Sequence, residues 1–295
     1  MSFIKPRRSI GASICPKCVT MLEYDFIQHA FISATIVAVL AGAVGYFLVL
    51  RGQTFAGHAL AHVGFTGATG ALLLGFPPLA GLVVVSVAAG AGMGAMGDKL
   101  AQRDIAIGLV LSLTLGVGLL FLHLLTTSAT QATALLFGNV LAVSVGTIQI
   151  LFALASISLV VLGMISRPLL FVSLQPELAE AKGLSGRVYS VVFLMIVALA
   201  TAECVQIVGV LLVFALMVGP AATALRLTSD VLKGVGLSIV IALVEAWIGI
   251  TLAFYTDWPT TFWITVLSAS FYLAACVPPK LVRRSVYERL MSYEA

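Results

Sequence analysis

The chain has 295 residues, of which 61% are hydrophobic and only 9% charged, with a formal net charge of +4 and a mean hydropathy of +1.13. A soluble domain carries roughly 25% charged residues, and a chain this apolar cannot cover its own surface with polar groups. Composition therefore excludes a soluble globular protein, and so small a net charge gives no sign of nucleic-acid binding.

Residues 1–25 read as an N-terminal tail. It carries Lys5, Arg7, Arg8 and Lys17 and a lone Cys15-x-x-Cys18 pair. A structural zinc site needs a second such pair, and Cys204 and Cys276 do not supply one by spacing. No cleavable signal peptide is expected, because the basic start is not followed by an apolar run. From residue 26 the pattern changes. Nine nearly charge-free runs follow, at about 26–50, 56–76, 79–97, 105–125, 147–165, 188–204, 206–226, 232–254 and 261–277. Each approaches the ~20 residues that a helix needs to cross hydrocarbon. The ~10-residue alternating segments of a membrane β-barrel do not occur. The expected fold is all-α, a polytopic transmembrane bundle of eight or nine spans over 26–277, with a C-terminal tail at 278–295. Residues 131–146, which contain Leu-Leu-Phe-Gly-Asn-Val, are the weakest piece and read as a short re-entrant or interfacial segment. Spans six and seven are short and meet at Glu203–Gln206, so a break within the membrane is expected there.

Arg51, Lys99, Arg103, Arg167, Lys182, Arg187, Arg226 and Lys233 fall in alternate connections, and Lys280, Arg283, Arg284 and Arg289 follow the last run. The connections near Phe76–Pro78 and Tyr255–Trp258 carry no Lys or Arg. The positive-inside rule puts the charged set and the C-terminus in the cytoplasm. Nine spans then place the basic N-terminal tail outside, which conflicts with the same rule. Small residues are dense, and Gly90 and Gly94 form a GxxxG pair suited to close helix packing in lipid.

Ionisable and polar groups inside spans are costly and mark candidate sites. His58 and His62 are four residues apart, on one helix face and close enough to share a metal ion. Neutral imidazole suits zinc, and manganese less well. Interhelical hydrogen bonding is the alternative. Ala59 stands where a metalloprotease motif would need Glu, so this pair is not a catalytic centre. Glu203 and Gln206 form a second group, and Glu245 lies mid-span; each is a candidate transient cation ligand or a structural hydrogen-bond partner. His29 and His123 read as interfacial. Between spans five and six, Pro176 and Glu177 suit a helix start and Gly183 a helix end. A short cytoplasmic helix at about 176–186 is expected, either a plain connector or a piece that inserts into a soluble partner. The chain has no GxxxxGK[ST], so any ATPase driving it is a separate polypeptide.

Four blocks in order resemble the permeases of zinc and manganese ABC transporters. They are Arg51-Gly-Gln-Thr-Phe-Ala-Gly-His-Ala-Leu-Ala-His62, Leu136-Phe-Gly-Asn-Val-Leu-Ala142, Glu177-Leu-Ala-Glu-Ala-Lys-Gly183, and Val208-Gly-Val-Leu-Leu-Val213 followed by Pro220-Ala-Ala-Thr-Ala224. The resemblance covers essentially all of 26–277. It implies a multi-pass protein of the bacterial cytoplasmic membrane, surrounded by lipid and working as a homodimer. It implies a transport subunit, not an enzyme, with no permanently bound cofactor. Two ATP-binding ABC subunits would dock on the coupling helix through Glu177, Ala179, Glu180, Ala181 and Gly183. An extracytoplasmic binding protein would deliver zinc or manganese. Pro220 would bend a span near the pathway. The family usually has Asp where this chain has His58. Exchanging a carboxylate for an imidazole favours zinc over manganese and leaves a non-metal substrate open. An ion-coupled secondary carrier using Glu203 and Glu245 is the main alternative, but no inverted repeat is visible. An intramembrane enzyme lacks both HExxH and GxSxG.

Overall fold

A computed structural model describes residues 24–96, 100–125, 138, 140 and 143–276, of which the side chains of 100–103, 174 and 176 are not described. The tails 1–23 and 277–295, including Cys15, Cys18 and the basic C-terminus, lie outside the described residues, as does most of 126–142. Among the described residues all regular structure is helical. The helices are α1 Asp25–Leu50, α2 Thr54–Leu73, α3 Pro78–Ala95, α4 Leu100–Leu124, α5 Val145–Leu174, α6 Pro176–Ala181, α7 Gly186–Val208, α8 Val210–Leu227, α9 Val231–Thr256 and α10 Thr260–Cys276. The nine long ones reproduce the nine apolar runs. α1, α3, α4, α5, α7, α8 and α9 are each long and apolar enough to cross a membrane. α10 is apolar but shorter, at 17 residues. α2, with two histidines, three threonines and four glycines, falls below that apolarity.

The direction of each helix follows from the residues that meet. Ser238 Oγ donates to the Gly42 carbonyl at 2.8 Å and Gly234 packs on Tyr46, so α1 and α9 are antiparallel. Gly67 meets Gly81 (α2 with α3), and Gly90 and Gly94 meet Leu194 and Val191 (α3 with α7), both antiparallel. Thr66 approaches Thr114 and Gly70 approaches Phe121, so α2 and α4 run parallel. These directions fit a chain that crosses once per long helix. The connections after α1, α3, α5 and α8, which carry the Lys and Arg residues, therefore share one face.

The centre of the bundle is α1, α2 and α7, whose buried faces are dominated by Ala, Gly, Val and Leu. In lipid no hydrophobic drive joins helices, so close approach of backbones supplies the packing energy. A Cβ on Gly45 would collide with the Met217 carbonyl, and one on Gly90 with the Leu194 carbonyl. The GxxxG pair of α3 thus forms the seam with α7, as its spacing predicts.

Three boundaries differ from the sequence reading. The fifth span is not confined to 147–165: α5 is 30 residues long and continues through Arg167 and Pro168 to Leu174. Proline lacks only one donor, and the rest of that turn still closes. The short helix expected at 176–186 is shorter than that. α6 stops at Ala181, where Gly183 N–H bonds to the Glu180 carbonyl and Leu184 N–H to the Ala179 carbonyl, both at 2.9 Å. That is a Schellman closure with Gly183 left-handed at φ 77. The break between spans six and seven lies at Gly209, not at Glu203–Gln206, which are inside α7. Gly209 has φ 81 and ψ 162, a conformation open essentially only to glycine. It is the single residue between α7 and α8. Of the expected re-entrant piece only Gly138 and Val140 are described before Val143; Gly138 presses its backbone on Ile207, Val208 and Gly209.

Two outcomes test this frame. Gly209→Ala is expected to destabilise the purified protein by roughly 1–3 kcal/mol, the cost of a non-glycine residue in that region, seen as a lower midpoint in thermal unfolding in detergent. Asp230 caps α9 by accepting from Leu232 and Lys233 N–H groups. Backbone hydrogen bonding from Lys233 is the first cause holding its carboxyl below the usual range. That stabilisation is present above the unfolded-state value of about 3.9 and is lost as pH falls through the lower folded value. The stability difference between wild type and Asp230→Ala is therefore expected to be largest at neutral pH and to shrink in acid.

Candidate metal pathway

The histidine pair sits in the first half of α2. One helical turn separates the residues, and their ring centroids lie 4.8 Å apart at an interplanar angle of 82°. The Phe214 ring of α8 stands edge-on against His58 at 5.5 Å. Both imidazoles are half-buried, and His58 Nδ1 has no hydrogen-bond partner in the protein. Below them, Thr66 Oγ1 lies 2.6 Å from the Thr114 carbonyl and 3.3 Å from that of His62, tying α2 to α4 at this level. Phe55 and His58 are three residues apart and His62 a turn further, so all share a face of α2. Phe55, Phe214 and Leu211 are exposed. The pair is thus only partly open, with His58 Nδ1 itself buried.

Two imidazoles at this distance are half of a tetrahedral site. Among the described residues no three His, Cys, Asp or Glu side chains come together in a way that would hold a metal. Glu203 and Glu245 therefore do not join the histidines in this chain. Glu203 is fully buried in α7, with neither carboxyl oxygen hydrogen-bonded, and Gln206 Oε1 beside it is also unpartnered. Glu245 is fully buried in α9, next to Ser268 of α10. Pro220 lies inside α8 as expected. On α6, Glu177, Glu180, Ala181 and Gly183 are exposed, whereas Ala179 is turned into the bundle. Leu178, not singled out from sequence, is 54% exposed there and gives the short helix an apolar tip. Phe214 was likewise missed: nothing in a run of apolar residues marks the one that touches a histidine. Arg51 spreads over the Phe193 ring, 5.2 Å from its centroid, locking the end of α1 to α7.

The profile of the ABC 3 transport family matches residues 23–278. The chain belongs to that family. It is a multi-pass membrane transport subunit, and the resemblance read from the four sequence blocks holds across the bundle. It is 29% identical over 262 residues to the manganese transport system membrane protein MntC of Listeria monocytogenes, covering 88% of this chain and 93% of that protein. It is 30% identical over 264 residues to a probable iron transport system membrane protein of Haemophilus influenzae, covering 88% and 96% respectively. Among solved structures, PsaBC from Streptococcus pneumoniae in complex with Fab superposes with a TM-score of 0.80 at 27% identity, over 90% of this chain and 97% of that one. An inward-facing putative metal-chelate type ABC transporter shares the fold, with a TM-score of 0.65 at 15% identity, over 90% and 92%.

The burial of Glu203 is directly measurable through its neighbour. Cys204 is fully buried and Cys276 exposed. In a variant lacking Cys15 and Cys18, a membrane-permeant maleimide is expected to label Cys276 and leave Cys204 unmodified. Labelling of Cys204 at a comparable rate would place a solvent path at Glu203 and return that residue to the pathway.

Proposed function

We propose that this chain is the membrane permease of an ATP-driven importer for a divalent transition metal, acting as a homodimer in the bacterial cytoplasmic membrane. The observation that carries the reading is the His58/His62 pair. Two metal-competent imidazoles lie on one face of α2, each half-buried, with the buried His58 Nδ1 left without a protein partner. A second copy facing the same α2–α8 surface would bring two more imidazoles and complete four nitrogen ligands. Metal is cargo here, so a site split between subunits has a use: it forms and opens as the subunits move.

ATP hydrolysis belongs to a separate subunit, for which α6 is the docking element. Its exposed Leu178 would enter an apolar groove, and Glu177, Glu180 and Ala181 would flank it. An extracytoplasmic binding protein would deliver metal at the opposite face. The finer choice of ion draws on two lines that point apart. Two imidazoles without a carboxylate favour zinc. The names of the MntC and ScaB relatives favour manganese. The donor set is a property of this chain itself, and we take zinc as the first cargo to test. Glu203 and Glu245 stand apart from the pair and are not needed as ligands.

The test is metal uptake by cells carrying the complete importer, together with calorimetric binding to the purified permease. His58→Ala/His62→Ala is expected to reduce zinc uptake by at least about tenfold, the effect of losing roughly 1.4 kcal/mol or more of binding, with unfolding midpoint retained. His58→Asp is expected to shift preference towards manganese. Unchanged zinc and manganese uptake in the double variant would remove the metal-path assignment.

A further inference from the structure

A cleft of about 380 Å³ opens between α8, α9 and α10, at the end of the bundle where α8 finishes and α9 begins. Stripes with helical spacing make its walls. Thr223 and Leu227 supply one from α8, and Phe271 and Ala275 another from α10. Leu237, Val240 and Val244 supply the third from α9, so the cleft runs about 10 Å along the helices. The Thr223 hydroxyl donates to the Gly219 carbonyl at 2.8 Å. The other lining side chains are apolar, so the walls hold no unmet polar group and suit a hydrocarbon chain. Leu227 and Val240 are exposed to it.

Two of the stripes change character at the mouth. Arg226 lies three residues after Thr223, and Lys233 lies four residues before Leu237, so both continue the walls of the cleft. Side chains of α9 lean towards its N-terminus, which carries the Lys233 ammonium outward to the aqueous boundary. Arg226 stands over the Tyr272 ring of α10, 5.8 Å from its centroid, with one Nη 3.5 Å from the Tyr272 hydroxyl. The guanidinium thus spans the mouth from α8 to α10, and it has five N–H donors to place. Lys233 pairs with Asp230 at 3.4 Å, but both side chains are exposed, and such a pair is worth little. Asp230 is also engaged with the first N–H groups of α9. The sequence beyond α10 is again basic, at Lys280, Arg283 and Arg284.

An apolar cleft that ends between two cations has the two-part chemistry of a phospholipid with a negative headgroup. A soluble anion would leave the cleft unused, and an uncharged lipid would leave the cations unused. A second copy of this chain seated here would bring a second set of the same cations to one interface. The mouth lies on the face of the bundle that carries the Lys and Arg connections, and anionic headgroups of the cytoplasmic leaflet attract such residues.

We propose that this cleft binds an anionic phospholipid, with one acyl chain between α8, α9 and α10 and the headgroup phosphate on Arg226 and Lys233. The site does not depend on the metal-pathway reading. It concerns three helices that pack together whatever the cargo.

The test uses the full-length permease purified in a neutral detergent, with lipid binding read by native mass spectrometry and by the thermal unfolding midpoint. The probes are phosphatidylglycerol, phosphatidylcholine with the same acyl chains, and inorganic phosphate. Phosphatidylglycerol is expected to form a retained complex and raise the midpoint. Phosphatidylcholine should bind at least about fivefold more weakly, and phosphate should leave the midpoint unchanged. Arg226→Gln and Lys233→Gln should each raise the Kd for phosphatidylglycerol about fivefold, the worth of one basic residue at an anionic surface. Val240→Phe fills the cleft and should weaken the same binding while both cations remain. Lys233→Gln, at an exposed position, tests the charge even if Arg226→Gln lowers the lipid-free midpoint. Equal binding of the two lipids by the wild type, or an undiminished preference for phosphatidylglycerol in Arg226→Gln/Lys233→Gln, overturns the headgroup assignment. Unchanged binding in Val240→Phe overturns the place of the acyl chain, as does displacement of phosphatidylglycerol by phosphate alone. A changed oligomeric state in Val240→Phe without lipid would put a second copy in the cleft and overturn the proposal.

Discussion

In hydrocarbon no water completes an unpaired backbone group, so every N–H and C=O must be satisfied within the chain. The architecture follows from that constraint. It selects helices, and it confines breaks to positions where backbone or side chains stand in for the missing partner. Ser238 on the Gly42 carbonyl, Thr66 on that of Thr114 and Ser268 on that of Ala215 are side-chain hydroxyls that bond backbone across helices. Glycine and alanine provide the close approach that dispersion needs in the absence of a hydrophobic drive. Among the described residues, buried polar atoms without a partner remain on His58, Gln53, Ser86, Ser158, Gln206, Glu203 and Glu245.

The same constraint explains how much could be read from the sequence. Nine apolar runs became nine long helices, because a run of that length in lipid has no other low-energy conformation. The shared face of His58 and His62 was legible because helical spacing alone puts the two imidazoles together. The boundaries were less legible. Arg167 looked like the end of a span, yet α5 carries it and Pro168 onward to Leu174, since charge stops a membrane crossing without stopping a helix. Glu203–Gln206 looked like a break because it is polar. The break is decided by backbone conformation at Gly209, which composition does not display.

Side-chain surroundings were legible only in part. Sequence could nominate Glu203, Gln206 and Glu245 as candidate ligands, but ligand sets are made by helix rotation and helix neighbours, and among the described residues neither glutamate joins the histidines in a group of three metal-competent side chains. On α6 the residue types were apparent, but Ala179 turns inward and Leu178 outward, a matter of the angle at which a six-residue helix leaves α5. Phe214 acquires its place beside His58 only through the packing of α8 on α2.

The one-residue junction at Gly209 has a mechanical consequence. α7 begins just after α6 and ends at Gly209, with 23 residues and no proline between, a rod of about 34 Å. At its far end it is fastened to α8 without slack, and Gly138 leans on the same point. Such a rod is a lever: a tilt of about 5° about its inner end carries Gly209 sideways by about 3 Å. A loop of several residues there would absorb that displacement. A single glycine passes it on to α8, and so to the ring that rests on His58.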